Sequence, residues 1–372
     1  MTENRKLLSI GAFGIILVLF IVNTVILLRP ESQPQAEPSV HEETRAEPEQ
    51  AAPEQQLQEN KKLIAQEPRE EEQQAYAYVL NQRDNTLSKV NLATQRVIIT
   101  IAVSPRPSDA VIANDRLYVA STDASVITVI DLKAHAVIET IELENSPEAL
   151  AFYENKLFVT DSKEDAVRVI DLASKRITKI LVGEKPRAIA LEPEKGFLFV
   201  ANFESDDITV INPRINVALD DVDLTGKGPI SLAISPLKDY IYVVNELTND
   251  ASILPYKFVK KLQREVNRIQ VGSRPLRIAL TPDGQYALVT NFYGDSIAVI
   301  STRQQRSIAT INVGSSPYAI AVNEEGTRAY VTEYTTGTLA VIDLKTFKKI
   351  DEIKVGEGPV KVLLYPNSQV TA

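Results

Sequence analysis

One four-residue phrase occurs seven times and constrains the chain more than any other feature. It reads Tyr78-Val79-Leu80-Asn81, Tyr118-Val119-Ala120-Ser121, Phe158-Val159-Thr160-Asp161, Phe199-Val200-Ala201-Asn202, Tyr242-Val243-Val244-Asn245, Leu288-Val289-Thr290-Asn291 and Tyr330-Val331-Thr332-Glu333. Successive copies begin 40, 40, 41, 43, 46 and 42 residues apart. A unit of that length cannot bury its apolar faces alone and has to stack on copies of itself. Strand-like content at this period predicts a β-propeller.

The repeat that begins at Gly272 shows how one blade is written. Gly272-Ser273-Arg274-Pro275 is a turn, Leu276 to Leu280 a short apolar strand, and Thr281-Pro282-Asp283-Gly284 a second turn. Tyr286 to Thr290, Ser296 to Ile300 and Ser307 to Val313 supply three more strands, with the alternation expected of strands packed on both faces. The turn before the innermost strand carries a proline in every repeat: Pro107, Pro147, Pro186, Pro229, Pro275, Pro317 and Pro359. Four residues later stand Ala151, Ala190, Ala233, Ala279 and Ala321, with Val111 and Leu363 in the first and last repeats. Small side chains suit inner strands, where blades converge.

Counting strands predicts how the ring closes. The repeats open at Tyr76 with a second strand and end on a lone first strand, Val360 to Leu364. The expected fold is therefore an all-β, seven-bladed propeller over residues 76–365, followed by a C-terminal tail, 366–372. One blade would take one strand from the end and three from the start, which removes the exposed edge of an open array.

The Tyr-Val-Thr-Asn variants are joined by a Ser-Ile-x-Val-Ile-Asp strand (Val126 to Asp131, Ala166 to Asp171, Leu339 to Asp343). A Val-Gly-x-x-Pro-x-Ala-Ile-Ala turn also recurs (Val182 to Ala190, Val313 to Ala321). On these motifs the chain resembles the YVTN family of β-propellers, which includes YncE-like bacterial proteins and archaeal surface-layer proteins. The resemblance implies an extracytoplasmic location and raises single-stranded DNA binding, without a residue motif that transfers. Fold alone does not carry activity.

The sequence ahead of the repeats differs in character. After a six-residue head, Leu7 to Leu28 is a run of 22 residues without a charge. At about 1.5 Å per residue it is long enough for a bilayer core, so it reads as a transmembrane anchor. Arg5 and Lys6 favour a cytoplasmic head, with the propeller periplasmic or at the cell surface. Residues 29–75 form a spacer rich in Pro, Glu and Gln, and twelve Glu against four Lys and Arg over 30–75 predict a disordered, self-repelling tether. The chain's formal charge of -9 falls mostly there. The repeats are close to neutral and are not expected to attract nucleic acid through bulk charge.

The chain has no Cys and two His, His41 in the spacer and His135 in a turn between strands. That composition excludes disulfides and thiolate metal sites and argues against paired-imidazole chemistry. No catalytic residue, metal ligand or cofactor is assigned. Two acidic runs, Glu204 to Asp207 and Asp220 to Asp223, lack the spacing of a calcium loop. The best candidate ligand site is the face carrying the proline turns and the loops after the second strands. Arg187, Arg274, Arg277 and Lys361 lie there with Phe292, Tyr293, Tyr318 and Tyr334, a set able to stack a ring and pair with an anion. The leading expectation is a membrane-tethered, non-enzymatic module binding a cell-envelope protein, glycan or small anion at this mouth. Single-stranded DNA binding and a carboxylate- or metal-dependent lactonase or other hydrolase are the alternatives.

Overall fold

The computed structural model describes residues 75–192, 194–256 and 265–366. The expected head, the Leu7–Leu28 anchor and the spacer lie outside the described residues, as does the tail beyond Pro366. Among the described residues there is no helix, and so none long and apolar enough to cross a membrane.

Seven antiparallel sheets of four strands make up the fold. One contains β28 (Pro359–Tyr365), β1 (Tyr76–Asn81), β2 (Thr86–Asn91) and β3 (Arg96–Ala102) in that order. Next come β4 (Pro107–Ala113) to β7 (Ala136–Glu142), through β5 (Arg116–Ser121) and β6 (Val126–Asp131). The third holds β8 (Leu150–Tyr153), β9 (Lys156–Asp161), β10 (Ala166–Asp171) and β11 (Ile177–Leu181). The fourth holds β12 (Pro186–Leu191), β13 (Leu198–Asn202), β14 (Asp207–Asn212) and β15 (Val217–Asp223). The fifth holds β16 (Pro229–Ile234), β17 (Tyr240–Asn245), β18 (Asp250–Pro255) and β19 (Asn267–Gln270). The last two are β20 (Pro275–Leu280), β21 (Tyr286–Asn291), β22 (Ser296–Ser301) and β23 (Arg306–Asn312), then β24 (Pro317–Val322), β25 (Arg328–Glu333), β26 (Thr338–Asp343) and β27 (Lys348–Lys354).

Where the apolar residues go shows that these sheets form a ring. The repeated phrase lies on the second strand of each blade, and its alternate side chains face opposite neighbours. Tyr78 and Leu80 pack with Leu117 and Val119 of the next sheet, whereas Ala77 and Val79 pack with Leu339 and Val341 of the last one. The other gaps between successive sheets are filled in the same manner. Seven sheets with seven filled gaps is a closed circle, since an open row would leave one gap empty. Each large side chain buried in a gap contributes about 1.5–3 kcal/mol. Ala151, Ala190, Ala233 and Ala321 sit in these gaps on the inner strands, whereas the same repeat position holds the buried Val111 and Leu363 in two other blades.

Each second strand ends on a polar residue that the fold buries. Asn81, Asn202 and Asn245 use Nδ2 to reach a hydroxyl on the adjoining third strand, at 2.9 Å (Ser88), 2.8 Å (Thr209) and 2.7 Å (Ser252). A buried amide with a cross-strand partner fixes the register, because a slip would strand it. Two blades use a carboxylate there and add a cation. Glu333 is held by Lys349, with Oε distances of 2.8 and 3.1 Å, and Asp161 by Arg168.

Candidate functional site

The mouth is built from a turn that the backbone repeats. In six blades the residue before the proline is left-handed: Arg106, Lys185, Gly228, Arg274, Ser316 and Gly358 all have φ between 52° and 66°. Its carbonyl accepts the N–H of the first residue after the second strand, as in Phe292 N to Arg274 O at 2.9 Å and Tyr334 N to Ser316 O at 3.0 Å. The following residue often bonds one step further back, as in Tyr293 N to Ser273 O at 3.2 Å and Arg83 N to Glu357 O at 3.0 Å. The proline turn and the loop beyond the second strand are therefore tied together into a rim in each of these six blades.

On two adjacent blades this rim assembles an aromatic shelf. Phe292 lies 6.1 Å from Tyr318 and 6.0 Å from Tyr334 between ring centres, and the two tyrosines are 5.9 Å apart. These separations fall within the range of favourable aromatic packing. Tyr293 joins the shelf edge-on at 5.4 Å and is 67% exposed. Thr290 Oγ1, on β21, donates to Tyr318 O across the blade boundary at 2.9 Å and holds the two blades' contributions together.

Guanidinium groups border the shelf. Arg274 stands 5.0 Å from the Phe292 ring centre and 4.7 Å from that of Tyr293, while its Nε donates to Glu246 Oε1 at 2.8 Å. Burial works against the charge on Arg274, but the bond to Glu246 and its negative charge prevail and raise the pKa. Arg277 stands 5.3 Å from the Tyr318 ring centre, donates to Leu276 O at 3.0 Å and has no carboxylate partner among the described residues. The sequence-predicted group of Arg274, Arg277, Phe292, Tyr293, Tyr318 and Tyr334 is thus a single cluster.

The other two predicted residues are engaged elsewhere on the rim. Arg187 Nη1 bonds both Glu148 oxygens at 3.0 Å, and Lys361 Nζ bonds Asp109 Oδ1 at 2.6 Å. Both pairs cross from one blade to its neighbour, a relationship invisible along the chain. Asp206, in the first acidic run, pairs with Lys227 at 2.9 Å and accepts the Gly228 N–H at 2.8 Å. His135 occupies the turn between β6 and β7, where it is buried with Nε2 2.9 Å from Lys89 Nζ. The sequence reading missed Arg83, whose guanidinium lies 4.5 Å from the Tyr334 ring centre. Repeat position would have found it: Arg83 stands two residues beyond Asn81, as Tyr293 does beyond Asn291.

Fold and site together define a seven-bladed β-propeller with an aromatic and cationic mouth. Residues 216–313 match the family model described as lactonase, seven-bladed beta-propeller. That segment is well under half of the chain, and it holds Glu246, Arg274, Arg277, Phe292 and Tyr293. No curated protein sequence matches the chain. Among solved structures, the chain is similar to a candidate 6-phosphogluconolactonase from Bacteroides fragilis, with a TM-score of 0.68 at 15% identity, covering 80% of this chain and 99% of that one. A second candidate 6-phosphogluconolactonase, from Bacteroides uniformis, gives 0.67 at 18% identity over 78% and 100%. A protein of unknown function from Desulfotomaculum acetoxidans gives 0.68 at 14% identity over 78% and 98%. Similarity at these identities shows the fold.

The expectation of a non-enzymatic module is corrected at this point by the match of residues 216–313 to the lactonase family model; the structural neighbours add the fold alone. Scarcity of His and absence of Cys argue against imidazole and thiolate chemistry, yet opening an activated ring ester requires neither. A carboxylate that accepts a proton from water is enough.

Proposed function

We propose that the propeller hydrolyses a lactone of an acidic sugar at its mouth. The observation that carries this reading is Arg277: a guanidinium at the aromatic shelf with no carboxylate partner among the described residues, inside the segment that matches the lactonase propellers. The shelf stacks the C–H face of the sugar ring, and Arg277 pairs with the substrate's anionic group. Glu246 is the rim carboxylate joined to the shelf, through Arg274.

In this reading Glu246 accepts a proton from a water molecule as the water oxygen adds to the lactone carbonyl. The ring C–O bond then breaks, and the departing alkoxide takes the proton back from Glu246. The product is an open hydroxy acid whose carboxyl group releases water's second proton to solvent, and the resulting carboxylate stays beside Arg274. Each proton that leaves water is accounted for, and no oxidant or reductant is needed.

Continuous proton release from a panel of sugar δ- and γ-lactones tests the reading. Glu246→Gln should lower kcat by about 10²-fold with little change in KM, the loss expected for a general base. Arg277→Ala should act mainly on KM. A wild-type protein that opens none of the lactones faster than buffer would end the proposal.

A further inference from the structure

Arg83 is a second cation on the shelf that the hydrolytic reading does not use. It reaches the site from the loop between β1 and β2, and the turn before β28 holds that loop. Gln82 N bonds Gly358 O at 2.9 Å, Arg83 N bonds Glu357 O at 3.0 Å, and Glu357 N bonds Asp84 Oδ2 at 2.9 Å. Gly358 makes the arrangement possible. Its φ is +61°, and a Cβ there would lie 2.8 Å from Arg83 Cγ and 3.1 Å from Tyr334 Cε2. A backbone that excludes a side chain so that an arginine can lie along a tyrosine ring is a built contact.

The two shelf arginines have the same character and sit on different rings. Arg83 lies against Tyr334 and Arg277 against Tyr318, two rings whose centres are 5.9 Å apart, and neither guanidinium has a carboxylate partner among the described residues. By contrast, Arg187, Arg274 and Lys361 on the same rim are each paired with an acid. Two cations without a carboxylate partner among the described residues, one on each of two adjacent rings, complement a ligand with two acidic groups and a flat or ring-like middle.

We infer that the site prefers a sugar diacid, an anion at both ends, over the corresponding monoacid, and that Arg83 is the residue that reads the second acid. The inference rests on the lactone-hydrolase reading for the identity of the middle of the ligand. Arg83 is a specificity residue and takes no part in the bond-breaking step.

The test measures binding of glucarate and gluconate to the full-length protein by titration calorimetry at low salt, beside turnover of their lactones. Wild type should bind glucarate about tenfold more tightly than gluconate, the increment of one charge-assisted bond at an exposed position. Arg83→Ala should bring that ratio close to one while leaving gluconate binding within about twofold, whereas Arg277→Ala should weaken both ligands. Gly358→Ala, which displaces the Arg83 arm without removing its charge, should lower the ratio as well. A wild-type ratio near one, or a ratio unchanged in Arg83→Ala, overturns the inference. A ratio that behaves as expected while neither lactone is turned over supports the two-cation recognition and rejects the hydrolytic reading, so the two failures are distinct.

Discussion

Arg168 Nε donates to Asp161 Oδ2 at 2.7 Å, and the two side chains are only 8% and 2% exposed. In the neighbouring blade the equivalent positions are Asn202 and Thr209, joined by a neutral bond of 2.8 Å. The same structural slot is thus filled once by an amide and a hydroxyl and once by an ion pair. Arg168→Thr should leave a buried carboxylate without its cation and cost about 3–5 kcal/mol. Asp161→Asn combined with Arg168→Thr should recover most of that loss by recreating the neutral pair. Denaturant unfolding of the two single variants and the double variant measures the coupling.

The same pair sets an acid limit. Burial alone would raise the pKa of Asp161, but hydrogen bonds from Asn145 and Arg168 outweigh it and hold the carboxyl below the ordinary aspartate value. A carboxyl depressed in the folded state contributes stability above its unfolded pKa and loses it as pH falls through the folded one. Wild type should therefore lose this contribution below about pH 4, the ordinary aspartate range. The double variant should lack that component, which melting curves from pH 6 to pH 2 would reveal.

Asp207 should behave in the opposite way. Burial is the main cause that raises its pKa, and the charges of Asp221 and Asp223 on the adjoining β15 add to the effect. A carboxyl raised in the folded state imposes a penalty once pH exceeds the folded pKa, and the penalty disappears below the unfolded one. Asp207→Asn keeps an oxygen to accept the Asn202 amide and removes the charge. We expect a higher melting temperature than wild type at pH 7 and no difference at pH 3. Equal shifts at both pH values would show that charge is not the cause.

Tyr318 separates stacking from hydrogen bonding at the shelf. Its ring packs on Phe292 and Tyr334 and against Arg277. Tyr318→Phe preserves those contacts and should leave KM for a good lactone within about twofold. Tyr318→Ala removes a face worth about 1–2 kcal/mol and should raise KM by roughly 5- to 30-fold. If the two variants have equal effects, the hydroxyl rather than the ring is what the substrate meets.

Much of this architecture could be read from the chain because a repeat states each position seven times. The Tyr-Val-x-Asn phrase located the second strands, and the proline located the rim. Register alone placed Arg277, Phe292, Tyr318 and Tyr334 on adjacent turns. Contacts that cross between blades could not be read in this way. The pairing of Lys361 with Asp109 joins residues from nearly opposite ends of the chain, as does the seat of Arg83 against Gly358. No local pattern links such residues until the blades are set side by side. Residue counts decide less for a different reason: two histidines and no cysteine say which chemistries are short of groups, but say nothing about chemistry run by carboxylates, which are abundant in the chain.

The meeting of the two ends of the described chain gives the last prediction. β28 pairs with β1 in the register Ala77 with Leu364, Tyr78 with Leu363 and Val79 with Val362. Val360 and Leu363 fill the gap toward Leu117, and Val362 and Leu364 fill the gap toward Leu339. Removing β28 by truncation after Glu357 would open both gaps and expose a full strand edge on β1, which invites association between chains. The truncated protein should lose its cooperative melting transition and scatter light at micromolar concentration. Leu363→Ala, a milder lesion in the same place, should cost about 2–5 kcal/mol and keep the fold. Adding a peptide of residues 358–366 to the truncated protein should restore the transition by strand addition, and a scrambled peptide should not. Cooperative melting of the truncated chain without the peptide would mean that the seven sheets hold together without the strand that joins the last to the first.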